Sequence, residues 1–333
     1  MAQTAGAKLT TGDANSMPAV RATALSHAYG DHVALDGVSF DVQLGEIFGL
    51  LGPNGGGKTT LFRILSTLIQ PRSGTAQILG ADVLRDRARV RTHLGVVFQS
   101  PALDRKLTVR ENLRYQGHLY GLGGADLDKR IDTGLARFKL SDRRDSMVES
   151  LSGGLRRRVE IAKGLLHRPR VLILDEPSTG LDPGARRDLW QLLQEIRTND
   201  GVTILMTSHI LEEVERCDRV AILDQGRIVA AGTTAELKQR VGGDVITVTA
   251  RDPQALAPQI VSRLGCNPVL LDGVLRIERD TSPDLVRRLL EAFPNDVEAV
   301  TLSKPTLEDV FIQTTGRAFW AADAAPAEED AHK

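Results

Sequence analysis

The chain has 333 residues and a formal net charge of −1, with 42 Lys and Arg against 43 Asp and Glu. This length suffices for two domains, and the balanced charge excludes the overall basic field of a nucleic-acid-binding protein, so we expect no nucleic-acid partner. No stretch approaches the ~18 consecutive apolar residues of a membrane-spanning helix. The two cysteines lack metal-ligand spacing, so we expect them to be reduced thiols of a cytoplasmic protein.

The first 241 residues consist of a polar N-terminal segment followed by α/β patterns. Residues 1–18 are rich in Ala, Thr, Gly and Ser, which predicts disorder. From 19 to 241, short apolar strands and amphipathic helices predict an α/β layer structure. Residues at about 100–160 carry helical patterns with little strand signal, so we expect an inserted helical subdomain there. The run Arg156-Arg157-Arg158 is interpreted as a solvated helix face rather than a nucleic-acid patch.

The pattern of elements restarts after Gly242-Gly243, which we interpret as a hinge. Residues 244–317 predict the element order β-α-β-β-α-β of a small ferredoxin-like domain, followed by one more helix. This α+β region has no cluster of catalytic side chains, so we expect it to serve regulation or assembly. Residues 318–333 predict a disordered tail.

A glycine-rich loop lies between a predicted buried strand at 46–51 and a predicted helix at 60–68. It matches the pattern G-x-x-x-x-G-K-[ST] in full, in which glycines let backbone N–H groups wrap around phosphate oxygens. Lys58 supplies charge for the β- and γ-phosphates, and Thr59 supplies a hydroxyl for Mg²⁺. A nucleoside triphosphate with Mg²⁺ is therefore the predicted ligand. The residues predicted to bind it are Gly52, Pro53, Asn54, Gly55, Gly56, Gly57, Lys58, Thr59 and Thr60.

Two adjacent acids, Asp175 and Glu176, follow a predicted buried strand at 171–174. A buried carboxylate without a partner is costly, so this pair needs an explanation. Coordination of Mg²⁺ explains Asp175, as in the second acidic element of P-loop ATPases. Glu176 lies close enough to polarise a water aimed at the γ-phosphate. The alternative is a strand that leaves the core with two solvated acids.

Further motifs appear in the order and spacing of the ABC ATPases, which the chain resembles. The segment 151–160 is similar to the signature motif of that family, and the segment 178–182 is similar to its D-loop. Three single positions complete the match: Gln99 resembles the Q-loop glutamine, His209 the switch histidine and Tyr29 the aromatic residue that stacks on adenine. The resemblance implies a P-loop ABC ATPase core over residues 19–241, with ATP as the nucleotide.

The resemblance also implies that the signature motif serves the ATP held by a second ATPase subunit, arranged head to tail with the first. The expected contacts come from Ser152, Gly153 and Gly154. Asp182 is expected to order the same interface beside the nucleotide, and Gln99 to contact Mg²⁺ and water. Position 155 is Leu where most members have Gln. Since Ser and both glycines make the phosphate contacts, we expect activity to survive this departure.

Three of these positions have other interpretations from the residues alone. His209 also fits a core histidine, Gln99 a surface loop residue, and Tyr29 a packed strand tyrosine. His209 follows a buried strand that faces the acidic one, so we favour a contact with the γ-phosphate. Glu176 and His209 are therefore the predicted catalytic residues.

The segments 99–121, 155–158 and 180–183 resemble the ATPase subunits of ABC-2-type exporters. The segment 304–311 resembles the tail domain of drug-resistance members such as daunorubicin-exporter ATPases. The resemblance implies an ATP-hydrolysing subunit that energises a separate membrane permease for export of a drug, lipid or glycan. Such a subunit is cytoplasmic and is held at the inner face of the cell membrane through the permease. Two alternatives stay open, a soluble ATP-switched scaffold in protein assembly and the ATPase of an importer.

Overall fold

The computed structural model describes residues 17–279, 283–317 and 319. The chain divides into two compact units, with the boundary between Ile228 and Val229. The sequence-based domain limits, including the boundary near 241–244 and the extent of the helical subdomain, stay predictions.

The segments predicted to be disordered, 1–18 and 318–333, lie almost wholly outside the described residues. Within the second of them, Phe319 is described and is buried. Its ring centroid lies 5.0 Å from that of Phe311 in an edge-to-face pair, a favourable arrangement for two aromatic rings. Phe319 therefore packs against Phe311.

The first unit contains an antiparallel and a parallel sheet. Its strands are β1 (Val20–Tyr29), β2 (His32–Val42), β3 (Ile47–Leu51), β4 (Ser73–Ile78), β5 (Ala81–Asp82), β6 (Leu94–Val97), β7 (Val171–Leu174), β8 (Thr203–Ser208) and β9 (Arg219–Asp224). The antiparallel sheet has the order β2-β1-β4-β5, and the parallel strands have the order β9-β3-β8-β7-β6. Every residue of β3, β7 and β8 is buried, as expected for parallel strands covered on both faces.

The helices of the first unit begin at sequence signals that also position the site. They are α1 (Lys58–Leu65), α2 (Arg87–His93), α3 (Val109–Leu119), α4 (Gly124–Arg137), α5 (Gly153–Leu165), α6 (Pro183–Asp200) and α7 (Leu211–Val214). Ser152 caps α5, and Asp182 caps α6, whose first residue is Pro183. Both are favoured cap residues, because their side-chain oxygens accept the free N–H groups of the first turn. The predicted α/β fold with a helical insertion is confirmed.

From residue 244 onward, the second unit has the predicted order of elements. It contains β10 (Arg227–Gly232), inside which the boundary between the units falls, then α8 (Thr234–Val241), β11 (Asp244–Ala250), α9 (Pro253–Leu264), β12 (Val269–Leu271), β13 (Val274–Arg279), α10 (Pro283–Ala292), β14 (Val297–Ser303) and α11 (Leu307–Thr315). Strands β11 to β14 form an antiparallel sheet in the order β12-β13-β11-β14. Apolar residues of α9, α10 and this sheet form one buried core, so the ferredoxin-like domain is confirmed.

The parallel sheet brings four of the predicted site segments to one edge. The glycine-rich loop follows β3, Gln99 follows β6, the acidic pair follows β7, and His209 follows β8. Because these strands are parallel neighbours, their carboxyl ends lie side by side, which is where open α/β sheets bind ligands. Among the helices of the described residues, none is long and apolar enough to cross a membrane.

Candidate functional site

The glycine-rich loop is held against β2 so closely that one of its residues must be glycine. Gly57 precedes α1 with φ 103°, and a Cβ there would lie 2.4 Å from Ala34 O and 2.9 Å from Leu35 Cδ2. A side chain would therefore meet both strain and overlap. The backbone around Gly57 stays open to an anion at the N-terminus of α1, where free N–H groups favour phosphate.

Lys58 is buried in the loop that it follows. Its Nζ donates to Gly52 O at 2.7 Å and to Pro53 O at 3.0 Å, and it lies 3.4 Å from Glu176 Oε1. A buried ammonium group needs such acceptors, since desolvation of a lone charge is costly. The loop therefore carries a positive charge directly beside the second acid of the acidic pair.

Thr207, on β8, joins the two acids. Its hydroxyl donates to Asp175 Oδ1 at 2.7 Å and accepts the Glu176 N–H at 2.8 Å. Burial raises the pKa of Asp175 above its usual range, while hydrogen bonds from Thr207 and Thr59 lower it in part. No signal in the sequence alone pointed to this role of Thr207.

Asp175 has one oxygen available to a cation. Its Oδ2 is buried and has no hydrogen-bond partner among the described residues, while the Thr59 hydroxyl lies within hydrogen-bonding reach of the same carboxylate. Carboxylate and hydroxyl oxygens are the hard ligands that Mg²⁺ prefers, so these residues fit that ion. The described residues contain no group of three or more His, Cys, Asp and Glu side chains that could hold a metal. Mg²⁺ needs no such group, because it typically binds one or two protein carboxylates together with substrate phosphates.

Glu176 combines an unusual backbone conformation with several side-chain contacts. It is buried and has φ 44°, a left-handed conformation that is uncommon outside glycine and that marks functional sites. Its Oε2 accepts from Gln99 Nε2 at 3.0 Å and from Thr179 Oγ1 at 3.2 Å. His209 Nδ1 lies 3.2 Å from the same oxygen without the geometry of a hydrogen bond. The structure thus brings Lys58, Gln99 and His209 around one carboxylate.

The glycine-rich loop and Glu176 line one cleft of about 280 Å³. Tyr29 stands at this cleft with 43% of its surface exposed, and its ring is edge-on to His27 at 4.8 Å. An exposed aromatic face there is available for stacking on a base. The cleft is lined by Tyr29, His32, Ala34, Pro53, Asn54, Gly55, Gly56, Gly57, Lys58, Thr59, Thr60, Gln99 and Glu176.

The predicted signature-motif residues and Asp182 line a separate cleft of about 320 Å³. Ser152, Gly153, Gly154 and Asp182 meet there, with Leu155 beside them, and the two clefts share no lining residue. Asp182 Oδ1 accepts from Gly184 N–H at 2.9 Å and from Ala185 N–H at 3.0 Å, so this carboxylate is bound to its own helix. The signature-motif residues and Asp182 therefore lie apart from the cleft at the phosphate loop.

Arg157 corrects one interpretation from the sequence. The run Arg156-Arg157-Arg158 was expected to be a solvated helix face, but Arg157 is buried, with 7% of its surface exposed. It pairs with Glu160, one turn along α5, at 2.8 Å. The i, i+3 spacing of this pair also fits an exposed helix surface, so the sequence pattern alone did not reveal its burial.

Comparisons with known proteins agree with both units. The family model "ABC transporter" matches residues 35–179, and the model "ATP-binding protein DrrA1-3-like, C-terminal domain" matches residues 232–315. The chain is 41% identical to daunorubicin resistance ATP-binding protein DrrA3 of Streptomyces coeruleorubidus, over 86% of this chain and 93% of that protein. It is 38% identical to Nod factor export ATP-binding protein I of Ralstonia nicotianae, over 91% of this chain and 95% of that one.

Two solved structures of ABC transporter proteins are similar to this chain in fold. CbiO1 of Clostridium perfringens, part of the ABC transporter complex cbiONQ, superimposes with a TM-score of 0.62 at 28% identity, over 74% of this chain and 96% of that one. The ADP conformation of MJ1267, an ATP-binding cassette of an ABC transporter, superimposes with a TM-score of 0.60 at 28% identity, over 66% and 93%.

Proposed function

Because the chain belongs to the ATP-binding subunits of ABC transporters, we propose that it hydrolyses ATP at Glu176 and thereby drives a separate membrane permease that exports a drug, lipid or glycan. Its relatives are named for daunorubicin resistance and for Nod factor export. Their names support export over import, and the C-terminal match to DrrA-type proteins supports the drug-resistance branch. The location proposed for the chain is the cytoplasmic face of the membrane, where the permease holds it.

The observation that carries the proposal is the environment of the Glu176 carboxylate. It lies beside Lys58 at the phosphate-binding loop, and Gln99 and Thr179 hold its Oε2. A carboxylate fixed by several donors at the end of a phosphate loop is suited to orient and polarise the attacking water. His209, 3.2 Å from Glu176, is placed to donate to the transferring phosphoryl group, and Lys58 to stabilise its charge.

Thr59 and Asp175 are the residues proposed to hold Mg²⁺, with Gln99 beside them. When bound, the ion neutralises charge on the β- and γ-phosphate oxygens. The role of the chain in this part of the site is to keep Asp175 ionised and oriented. Thr207 does this by donating to Asp175 Oδ1 at 2.7 Å.

The second cleft supports a dimer. Ser152, Gly153 and Gly154 stand at the N-terminus of α5, a second place suited to an anion, yet a single chain has one phosphate loop. We therefore propose that this cleft contacts the γ-phosphate of ATP held by a second copy, so that two copies arranged head to tail complete two sites. Hydrolysis then removes the group that bridges the copies, and they separate.

The dimer is tested by the mass of the Glu176→Gln chain with and without Mg²⁺-ATP, measured by light scattering. Slow hydrolysis should leave this variant as an ATP-dependent dimer. Adding Ser152→Arg should return it to a monomer, because the larger side chain blocks the second cleft. A monomer from Glu176→Gln in saturating ATP would contradict the proposed arrangement.

The permease is tested by purifying a tagged chain from detergent-solubilised membranes. We expect a polytopic membrane protein to co-purify, and cells that express both to export a substrate only while Lys58 is intact. Co-purification with soluble assembly factors alone would favour a scaffold, and uptake in place of efflux would favour an importer.

A further inference from the structure

A buried ion pair on α5 contacts the backbone of the two segments that carry Gln99 and Glu176. Arg157 and Glu160 are each 7% exposed, and Arg157 Nη1 donates to Glu160 Oε2 at 2.8 Å. A buried pair is a poor source of stability, since desolvation of both charges offsets their attraction. Its presence in this position therefore calls for a role beyond stability.

The Arg157 guanidinium donates hydrogen bonds to the backbone carbonyls of Glu176 and of the next residue. Its Nη2 donates to Glu176 O at 3.1 Å and its Nε to Pro177 O at 2.7 Å. The Glu176 N–H is held on the other side by Thr207 at 2.8 Å. The left-handed Glu176 is thus held through both its N–H and its C=O, which is how an unfavourable backbone conformation persists.

The same pair reaches the segment that carries Gln99. Arg157 Nη1 also donates to Phe98 O at 3.0 Å, and Glu160 Oε1 accepts the Ala102 N–H at 3.1 Å. One ion pair therefore joins the segment before and after Gln99 to the segment that contains Glu176. Buried backbone groups need such partners, and the planar fork of Arg supplies several donors in a fixed geometry that Lys lacks.

We propose that Arg157, supported by Glu160, is a positioning residue that holds the Glu176 backbone in its left-handed conformation and ties it to the Gln99 segment and to α5. The inference rests on the proposed role of Glu176 in hydrolysis. Arg157 also lines the second cleft beside Ser152–Gly154, so we expect a displacement of α5 there to reach the Glu176 backbone. Arg157 touches no reacting group itself.

The test compares steady-state ATP hydrolysis by the full chain in two variants, Arg157→Lys and the double variant Arg157→Met with Glu160→Leu, which leaves no unpaired buried charge. We expect kcat to fall about 10- to 100-fold, the range typical of a misplaced catalytic group, with KM for ATP changed less than about 3-fold. The fall should be smaller in Arg157→Lys, which keeps one donor. Circular dichroism and the thermal midpoint check folding, and Arg157→Lys supplies the answer if the double variant does not fold.

Arg219 provides the matched control. It is another largely buried arginine, 3.3 Å from Asp41 Oδ2 and 3.4 Å from Glu46 Oε2, and it contacts none of the predicted site residues in the described structure. Arg219→Met should lower the thermal midpoint and leave kcat within about 2-fold of wild type.

A double-mutant cycle separates positioning from a general loss of structure. In a Glu176→Gln background, the same Arg157 and Glu160 substitutions should lower the residual rate less than about 2-fold, because the residue through which they act is gone. An equal loss in both backgrounds would overturn the inference. So would a folded double variant with wild-type kcat while Glu176→Gln is inactive, and the proposed function would then stand. Wild-type turnover by Glu176→Gln would instead remove the role of Glu176, and the inference with it.

Discussion

Replacement of Thr207 by Val removes one hydroxyl and keeps the side-chain shape, so it isolates the group that links Asp175 to Glu176. The hydroxyl makes a hydrogen bond of 2.7 Å to a carboxylate and accepts one of 2.8 Å from a backbone N–H, both buried. A bond to a charged group contributes about 1.5–3 kcal/mol and a neutral one about 0.5–1.5 kcal/mol, so Thr207→Val should lower the free energy of unfolding by about 2–4 kcal/mol. Turnover should fall as well, because Glu176 loses the partner of its N–H.

The matched control lies on the same strand. Thr203 is also fully buried, and its hydroxyl accepts a single hydrogen bond, from Gly45 N–H at 3.0 Å, away from the site. Thr203→Val should cost only about 0.5–1.5 kcal/mol and leave kcat unchanged. Urea unfolding followed by circular dichroism measures both losses. Equal losses in the two variants, or full turnover in Thr207→Val, would refute the view that Thr207 fixes the acidic pair.

Two further predictions concern the loop and pH. Gly57→Ala should weaken binding of a fluorescent ATP analogue at least about 10-fold, and more than Gly55→Ala does. The reason is that a Cβ at 57 meets Ala34 O at 2.4 Å, whereas a Cβ at 55 meets nothing within 4 Å. Equal affinities of the two variants would contradict this. Burial lowers the pKa of His167 to about 4, so its contribution to stability is complete above the unfolded value near 6.5 and is lost as pH falls towards 4. Between pH 7 and 5 this loss should be about 1–2 kcal/mol and should disappear in His167→Gln; an unchanged pH dependence of urea unfolding in that variant would argue against it.

The site was predictable from the sequence wherever a local motif carries its chemistry. The phosphate loop needs its glycines and Lys58 at fixed spacing, and the acids need a buried strand before them, so both are visible in the order of residues. The parallel sheet follows from the same alternation of strands and helices.

The residues that hold the site in place were not predictable in this way. Thr207 is one of several buried residues of β8, and only its position opposite Asp175, 32 residues earlier, gives it a role. Arg157 meets Phe98 and Glu176 across 59 and 19 residues, so its helical pattern alone suggested a solvated side chain. The left-handed backbone of Glu176 likewise depends on these distant partners and has no signal in its own sequence neighbourhood.

Steady-state hydrolysis of Mg²⁺-ATP by Glu176→Gln, beside wild type and Glu149→Gln, tests the central claim most directly. Glu149 is exposed, so its variant controls for the loss of one carboxylate. If Glu176 orients the attacking water, its variant should lose at least about 100-fold in kcat while it still binds ATP, and Glu149→Gln should match wild type. Hydrolysis by Glu176→Gln at the wild-type rate would contradict the account.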